Sequence, residues 1–131
     1  MEKIKVLQIT QSVGGVETYL RQMLQNIDRN RFEVIIVSCE PSLKQYCEEA
    51  NVKYYEVKMS RGFNPFRDFT SVLGIRRIIK KERPALVHLH SSKAGFVGRI
   101  AAKTASCKSL FTPHGGSYLQ FTGLKRMIFF F

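Results

Sequence analysis

Acidic residues are scarce in this 131-residue chain: 10 Asp and Glu stand against 21 Lys and Arg, a formal net charge of +11. The shortage is local. Residues 1–65 are nearly balanced, with 9 basic and 8 acidic side chains, whereas residues 66–131 hold 12 basic and 2 acidic. No Asp or Glu follows Glu82. Such a surface suits an anionic partner: phosphate, a lipid surface or nucleic acid. Cysteine is scarce too. Cys39, Cys47 and Cys107 are odd in number and include no C-x-x-C, which excludes a disulfide framework and argues against a zinc site. Free buried thiols in a reducing cytosol are the expectation. No stretch reaches the roughly 18 apolar residues of a membrane span, and the N-terminus has no signal-peptide core or cleavage site. What remains is 44% hydrophobic and 24% charged, an ordinary composition for one globular domain with a real core, and neither disordered nor collagen-like.

Apolar periodicity alternates along the chain. Lys5–Thr10 reads as a buried strand, followed by Val16, Leu20, Met23, Leu24 and Ile27 at helical spacing. Phe32–Ser38 is a second, β-branched strand, a short helix runs from Pro41 to about Ala50, and residues 52–57 form a third strand. Residues 59–65 are a loop by their Gly and Pro content. Phe66, Phe69, Val72, Leu73, Ile75, Ile78 and Ile79 mark the apolar face of a long helix that stops before Pro84, with Arg76, Arg77, Lys80, Lys81 and Arg83 on its outer face. A fourth strand covers residues 85–90. The helix over 92–105 turns Val97, Ile100, Ala101 and Thr104 inward, with Gly95 and Gly98 allowing close packing. Residues 109–113 give a fifth strand, and a helix is expected from Leu124. Strands alternating with helices predict an α/β fold, a doubly wound parallel sheet with helices on both faces. Such sheets bind ligands outside the carboxyl ends of their strands.

The residues at those ends are chemically distinctive. Gly14 and Gly15 follow strand one just before a helix, where backbone N–H groups can approach a ligand at the positive helix end; a tight turn would need the same residues. The loop has neither G-x-G-x-x-G nor G-K-[ST], so it is not a dinucleotide or Walker loop, and a dinucleotide-binding domain with Glu40 on the ribose loses its main support. Strand four ends in His88-Leu89-His90-Ser91-Ser92-Lys93, with both histidines on one face. Ser91 and Ser92 can cap the next helix. Lys93 opposes the helix dipole, which implies either a bound anion or a side chain turned to solvent. Strand five ends in Pro113-His114-Gly115-Gly116, a histidine with room around it. No acidic partner follows the His-x-His pair, so metal chelation is not expected.

Val-Leu-Gln-Ile-Thr, Gly-Gly-Val-Glu-Thr, the run from Ala85 to Lys103 and Phe-Thr-Pro-His-Gly occur here in that order. Together they resemble the N-terminal domain of family 4 glycosyltransferases, retaining enzymes of the GT-B fold, many of which build bacterial capsule, exopolysaccharide or lipopolysaccharide. The resemblance runs from about Ile4 to the end of the chain. It implies that Gly14 and Gly15 lie beside donor phosphates and acceptor, that His114, with Gly115, lies by the transferred sugar as the catalytic residue, and that His90, Ser91 and Lys93 line the acceptor side. Arg61 is a looser candidate for an acceptor phosphate. Neither a cofactor nor a metal is implied, the nucleotide-sugar being the donor substrate. Acceptors in the family are commonly lipid-linked, so the basic helix 76–83 would rest on an anionic membrane surface, at the inner face of the cell membrane of a cytoplasmic enzyme.

In this family the nucleotide-sugar is held by a second Rossmann-like domain through a Glu-x7-Glu motif, and residues 1–131 are expected to hold neither that domain nor that motif. Residues 1–131 would then be an N-terminal, acceptor-side domain incomplete at its C-terminus: a truncated product, a fragment or one piece of a split enzyme. The isolated chain is expected to be inactive. The alternative is a basic nucleic-acid-binding module. Against it stands the spacing of the aromatics, which reads as core rather than as an exposed surface interleaved with Arg.

Overall fold

The computed structural model describes residues 3–11, 15–60 and 62–112. Five strands alternate with four helices: β1 (Ile4–Ile9), α1 (Gly15–Asn26), β2 (Phe32–Ser38), α2 (Pro41–Glu49), β3 (Lys53–Glu56), α3 (Pro65–Glu82), β4 (Leu86–Leu89), α4 (Ser92–Thr104) and β5 (Ser109–Phe111). All pairings are parallel, in the order β3-β2-β1-β4-β5. The expected doubly wound α/β sheet is therefore what forms. The helix expected from Leu124 lies outside the described residues.

Near-continuous apolar strands are what a sheet covered on both faces requires, and each face has its own core. Alternate residues of β1 and β2, Leu7, Ile9, Ile35 and Val37, join Val87 and Leu89 of β4 against α3 and α4. Val34 and Ile36 face the other way, against Val16, Leu20 and Leu24 of α1 and Leu43 and Cys47 of α2. Cys47 is fully buried, and burial raises its thiol to about 11; Cys39 and Cys107 are only half-buried.

Helix α4 sits very close to the sheet because two of its residues are glycine. A Cβ on Gly98 would come within 2.3 Å of Leu89 Cδ2, and one on Gly95 within 2.7 Å of the Phe111 ring. The close packing expected of these glycines is confirmed. Two assignments on the helices are corrected. Ile100 and Thr104 point outward, and Phe66, Phe69 and Leu73 lie on the exposed face of α3. Ile75, Ile78 and Ile79 are buried as expected, and the inner face of α3 also takes in Asp68, Ser71 and Glu82. The aromatics of this region are thus exposed, not core.

Those buried polar residues are fully answered. Ser71 Oγ donates to Lys58 O at 2.6 Å. At the amino ends of the strands, Glu82 accepts from Lys5 Nζ (3.2 Å), Lys53 Nζ (3.0 Å) and the Tyr55 hydroxyl. Burial raises the carboxyl's pKa, but the Tyr55 hydroxyl and the two ammonium groups outweigh it and hold the group at about 2. Asn64 caps α3 by accepting from Arg67 N at 3.2 Å, Pro65 opens the first turn, and Arg83 closes the helix in the left-handed region at φ 50° ahead of Pro84.

Candidate functional site

Strand order reverses between β1 and β4: the chain leaves β1 into α1 on one face and leaves β4 into α4 on the other. At such a reversal the crevice of an open α/β sheet falls over the carboxyl ends of the strands, here with the N-terminus of α1 on one side and that of α4 on the other. This is where an open α/β sheet takes its ligand.

The parallel ladders run out to the crevice, with Thr10 N on Val37 O and His90 N on Ile9 O, both at 3.0 Å. Beyond them Ser91 takes over. Its hydroxyl oxygen accepts from Ala94 N (3.3 Å), capping α4, and also from Gln11 N (3.1 Å), tying the tip of β1 to that of β4. Gln11 Nε2 reaches Met59 O at 3.4 Å, so the segment after β3 joins the same edge. Ser91→Ala is expected to lose about 1–2 kcal/mol in chemical denaturation, one helix cap plus one unanswered N–H, while Ser91→Thr keeps most of it.

Beneath the crevice lies a polar floor. Gln8 and His88 are register partners, and with His90 they face the α1 side of the sheet. His90 Nε2 bonds Gln8 Oε1 at 2.5 Å and His88 Nε2 bonds Thr112 Oγ1 at 2.7 Å. The imidazoles lie 4.0 Å apart, and Tyr19 of α1 covers His90 with ring centroids 5.5 Å apart. The shared face expected of the two histidines is confirmed. His90 is only 1% exposed, so its ring belongs to the floor.

Lys93 meets neither of the two outcomes expected for it. Its ammonium is bound by Asp68 Oδ1 at 2.7 Å and by Gly62 O at 2.9 Å. Lys93 pulls the Asp68 carboxyl below the usual carboxylate range; burial opposes this, and Asn64 N and Ser60 Oγ assist. The cation in the first turn of α4 is therefore compensated by a carboxylate of α3, and this pair joins the two helices at their amino ends.

Gly15 opens α1 beside the crevice. Gly14, Arg61, His114 and Gly115 lie outside the described residues. Gln8, Gln11, Tyr19 and Asp68 carry no motif that marks them. For Gln8 one signal existed: a polar residue inside an apolar strand, two positions before Thr10. The Glu-x7-Glu spacing by itself does occur, from Glu40 to Glu48 and from Glu48 to Glu56. It falls on the cap of α2, the exposed face of α2 and the end of edge strand β3, all within this sheet-and-helix unit. Among the described residues no three His, Cys, Asp or Glu side chains gather as metal ligands.

An open parallel sheet whose strand order reverses in this way defines a Rossmann-like α/β domain. The chain belongs to Glycosyltransferase Family 4, whose family model matches residues 13–130. It is 27% identical over 118 residues to the UDP-Gal:alpha-D-GlcNAc-diphosphoundecaprenol alpha-1,3-galactosyltransferase of Escherichia coli, covering 88% of this chain and 30% of that one. A glycosyltransferase from Rickettsia africae has the same fold, with TM-score 0.73 and 23% identity over 92% of this chain and 33% of its own. A UDP-GlcNAc 2-epimerase from Methanocaldococcus jannaschii also shares it, with TM-score 0.56 and 16% identity over 82% of this chain and 31% of its own. The fold therefore does not choose the chemistry. The chain spans about a third of the length of these relatives.

Proposed function

We propose that this chain supplies the acceptor side of a retaining glycosyltransferase, one that moves a sugar from a nucleotide-sugar to a lipid-linked or polysaccharide acceptor in cell-surface polysaccharide synthesis, as for capsule or exopolysaccharide. One observation carries the reading: the family match over residues 13–130 takes in the crevice at the strand reversal, where such a sheet binds ligands. The relative from Escherichia coli, named for a UDP-sugar donor and a diphosphoundecaprenol acceptor, supports both substrate classes.

In this reading Gly14, Gly15 and the N-terminus of α1 receive phosphate, Arg61 assists with an acceptor phosphate, and His114 with Gly115 faces the transferred sugar. Ser91 and His90 act from beneath by fixing the tip of β4. Lys93, already bound to Asp68, holds the crevice wall in place. Donor binding belongs to a second Rossmann-like domain with its own Glu-x7-Glu pair, so residues 1–131 form the acceptor-side domain and transfer no sugar alone. Neither a cofactor nor a metal takes part. The enzyme works at the inner face of the cell membrane, with helix 76–83 on anionic lipid. No described helix is long and apolar enough to cross that membrane.

The test is a titration of the purified chain with a short-chain polyprenyl-diphosphate sugar. Saturable binding is expected, weakened about tenfold by Arg61→Ala, the loss of one charge-assisted phosphate contact. Adding UDP-sugars should yield no transfer. Robust transfer by the isolated chain would overturn the division of labour, and absence of saturable binding would overturn the acceptor role.

A further inference from the structure

Residues 57–64 connect β3 to α3 along the carboxyl edge of the sheet. Apolar packing does not hold the second half of this connection. Met59 is buried, but Phe63 is 80% exposed and a Cβ on Gly62 would meet nothing within 4 Å. Polar bonds hold it instead. Gly62 O accepts from Lys93 Nζ at 2.9 Å, and Asn64 N donates to Asp68 Oδ2 at 3.4 Å. Ser60 Oγ lies 3.0 Å from Gly62 O and 3.2 Å from Asp68 Oδ1, so its one proton serves either. Upstream, Met59 O accepts from Gln11 Nε2 at the tip of β1.

Ser60, Gly62 and Asn64 thus all meet on one ion pair, Lys93 Nζ on Asp68 Oδ1 at 2.7 Å. The two side chains are only 10% and 6% exposed. Taking a carboxylate and an ammonium out of water is costly, and an apolar pair of similar volume would often be as stable. What the charged pair adds is direction. Asp68 reaches the loop from α3, four residues downstream of Asn64, and Lys93 reaches it from α4, 31 residues from Gly62. The two ends of the ion pair therefore fix the loop against two different helices at once.

We propose that Asp68 is a positioning residue of the acceptor side: with Lys93 it fixes the backbone on both sides of position 61, so that an acceptor phosphate meets an edge set before binding. Order that exists in the free protein need not be imposed by the ligand, which raises affinity without a new contact. The Lys93 ammonium serves this purpose and not the ligand, because Asp68 already neutralises it. The inference rests on the proposed function for the acceptor phosphate; the anchoring of the loop does not.

The test has two readouts on the 131-residue chain, with Asp68→Asn and Lys93→Met. The first needs no ligand. Trypsin cleavage after Arg61, followed by mass spectrometry well below the thermal midpoint, should speed up about tenfold in both variants, because local opening sets its rate. Glu82→Gln, at the far end of α3, weakens the whole fold without touching this loop and should leave that cleavage unchanged. The second readout is the titration with the short-chain polyprenyl-diphosphate sugar. Asp68→Asn should weaken binding about tenfold, and Arg61→Ala should add little to it, the two effects being coupled. Wild-type cleavage in Asp68→Asn and Lys93→Met would overturn the inference, as would equal acceleration in Glu82→Gln. So would wild-type affinity in Asp68→Asn, or additivity with Arg61→Ala. Tighter binding by Asp68→Asn would make Lys93 a phosphate ligand that Asp68 blocks, and would overturn it too. No saturable binding by the wild-type chain overturns the acceptor reading and this role with it, whereas saturable binding indifferent to Asp68 overturns this role alone.

Discussion

Glu82→Gln is expected to destabilise the chain by about 2–3 kcal/mol, below the 3–5 typical of breaking a buried ion pair because Lys5 and Lys53 are near enough to the surface to recover water. The Glu82 side chain is only 4% exposed, against 28% for Lys5 and 52% for Lys53. Glutamine keeps an acceptor for the Tyr55 hydroxyl but offers the ammonium groups no charge. The pH dependence identifies the cause. The ordinary value of 4.5 applies in the unfolded chain and about 2 in the folded one. The contribution is therefore complete above the unfolded value and is lost as pH falls toward the folded one. A depression of that size corresponds to about 3 kcal/mol. Denaturation at a series of pH values should show wild type and variant separated near neutrality and converging in acid. A gap that stays constant down to the folded value would mean that packing, not charge, makes the difference.

Gly98 should be nearly as sensitive, for a reason of space alone. Leu89, which a new Cβ would strike, is fully buried and has nowhere to retreat. Overpacking of this kind costs about 1–3 kcal/mol, and the gain of about 1 kcal/mol from replacing a helical glycine with alanine offsets only part of it. Gly98→Val, with two further methyl groups, should lose about 3 kcal/mol or more. The diagnostic measurement is a double-mutant cycle. Leu89→Ala alone should cost about 2–5 kcal/mol by leaving a cavity. With that cavity present, Gly98→Ala should cost nothing or stabilise, a coupling of about 1–2 kcal/mol. Gly74→Ala is the control: its Cβ would meet Val57 at an ordinary 3.6 Å, so it should stabilise α3 by up to about 1 kcal/mol. Additive effects at positions 89 and 98 would show that the helix simply moves away.

The order of strands and helices was legible because each β-branched run and each helical stripe is a local signal. The crevice was legible for the same reason, since Gly15, His90 and Ser91 stand just past strand ends. The face of α3 was not. Phe66, Phe69 and Leu73 have the spacing of a core stripe, while the true inner face includes Asp68, Ser71 and Glu82. Those polar residues are tolerable inside only because Lys93, the Lys58 carbonyl, Lys5, Lys53 and Tyr55 come to meet them from elsewhere in the chain. Periodicity along one helix cannot see partners supplied by another element. Lys93 was misjudged for the same reason, its counter-charge being 25 residues away. The polar floor likewise depends on the register of β1 with β4, which pairs Gln8 with His88.

The bonds that shape the crevice have an unusual span. Gln11 N to Ser91 Oγ joins residues 80 apart in sequence, and Gln8 to His90 joins residues 82 apart. Contacts of such long range pay their loop-closure entropy late, after local βα units have formed. The β1–β4 edge should therefore be among the last features assembled during folding and among the first dissolved by partial unfolding, when β4 parts from β1 while β1, β2 and β3 still hold together. Amide exchange should show this as weaker protection at Gln11 and His90 than at Ile35 and Val37.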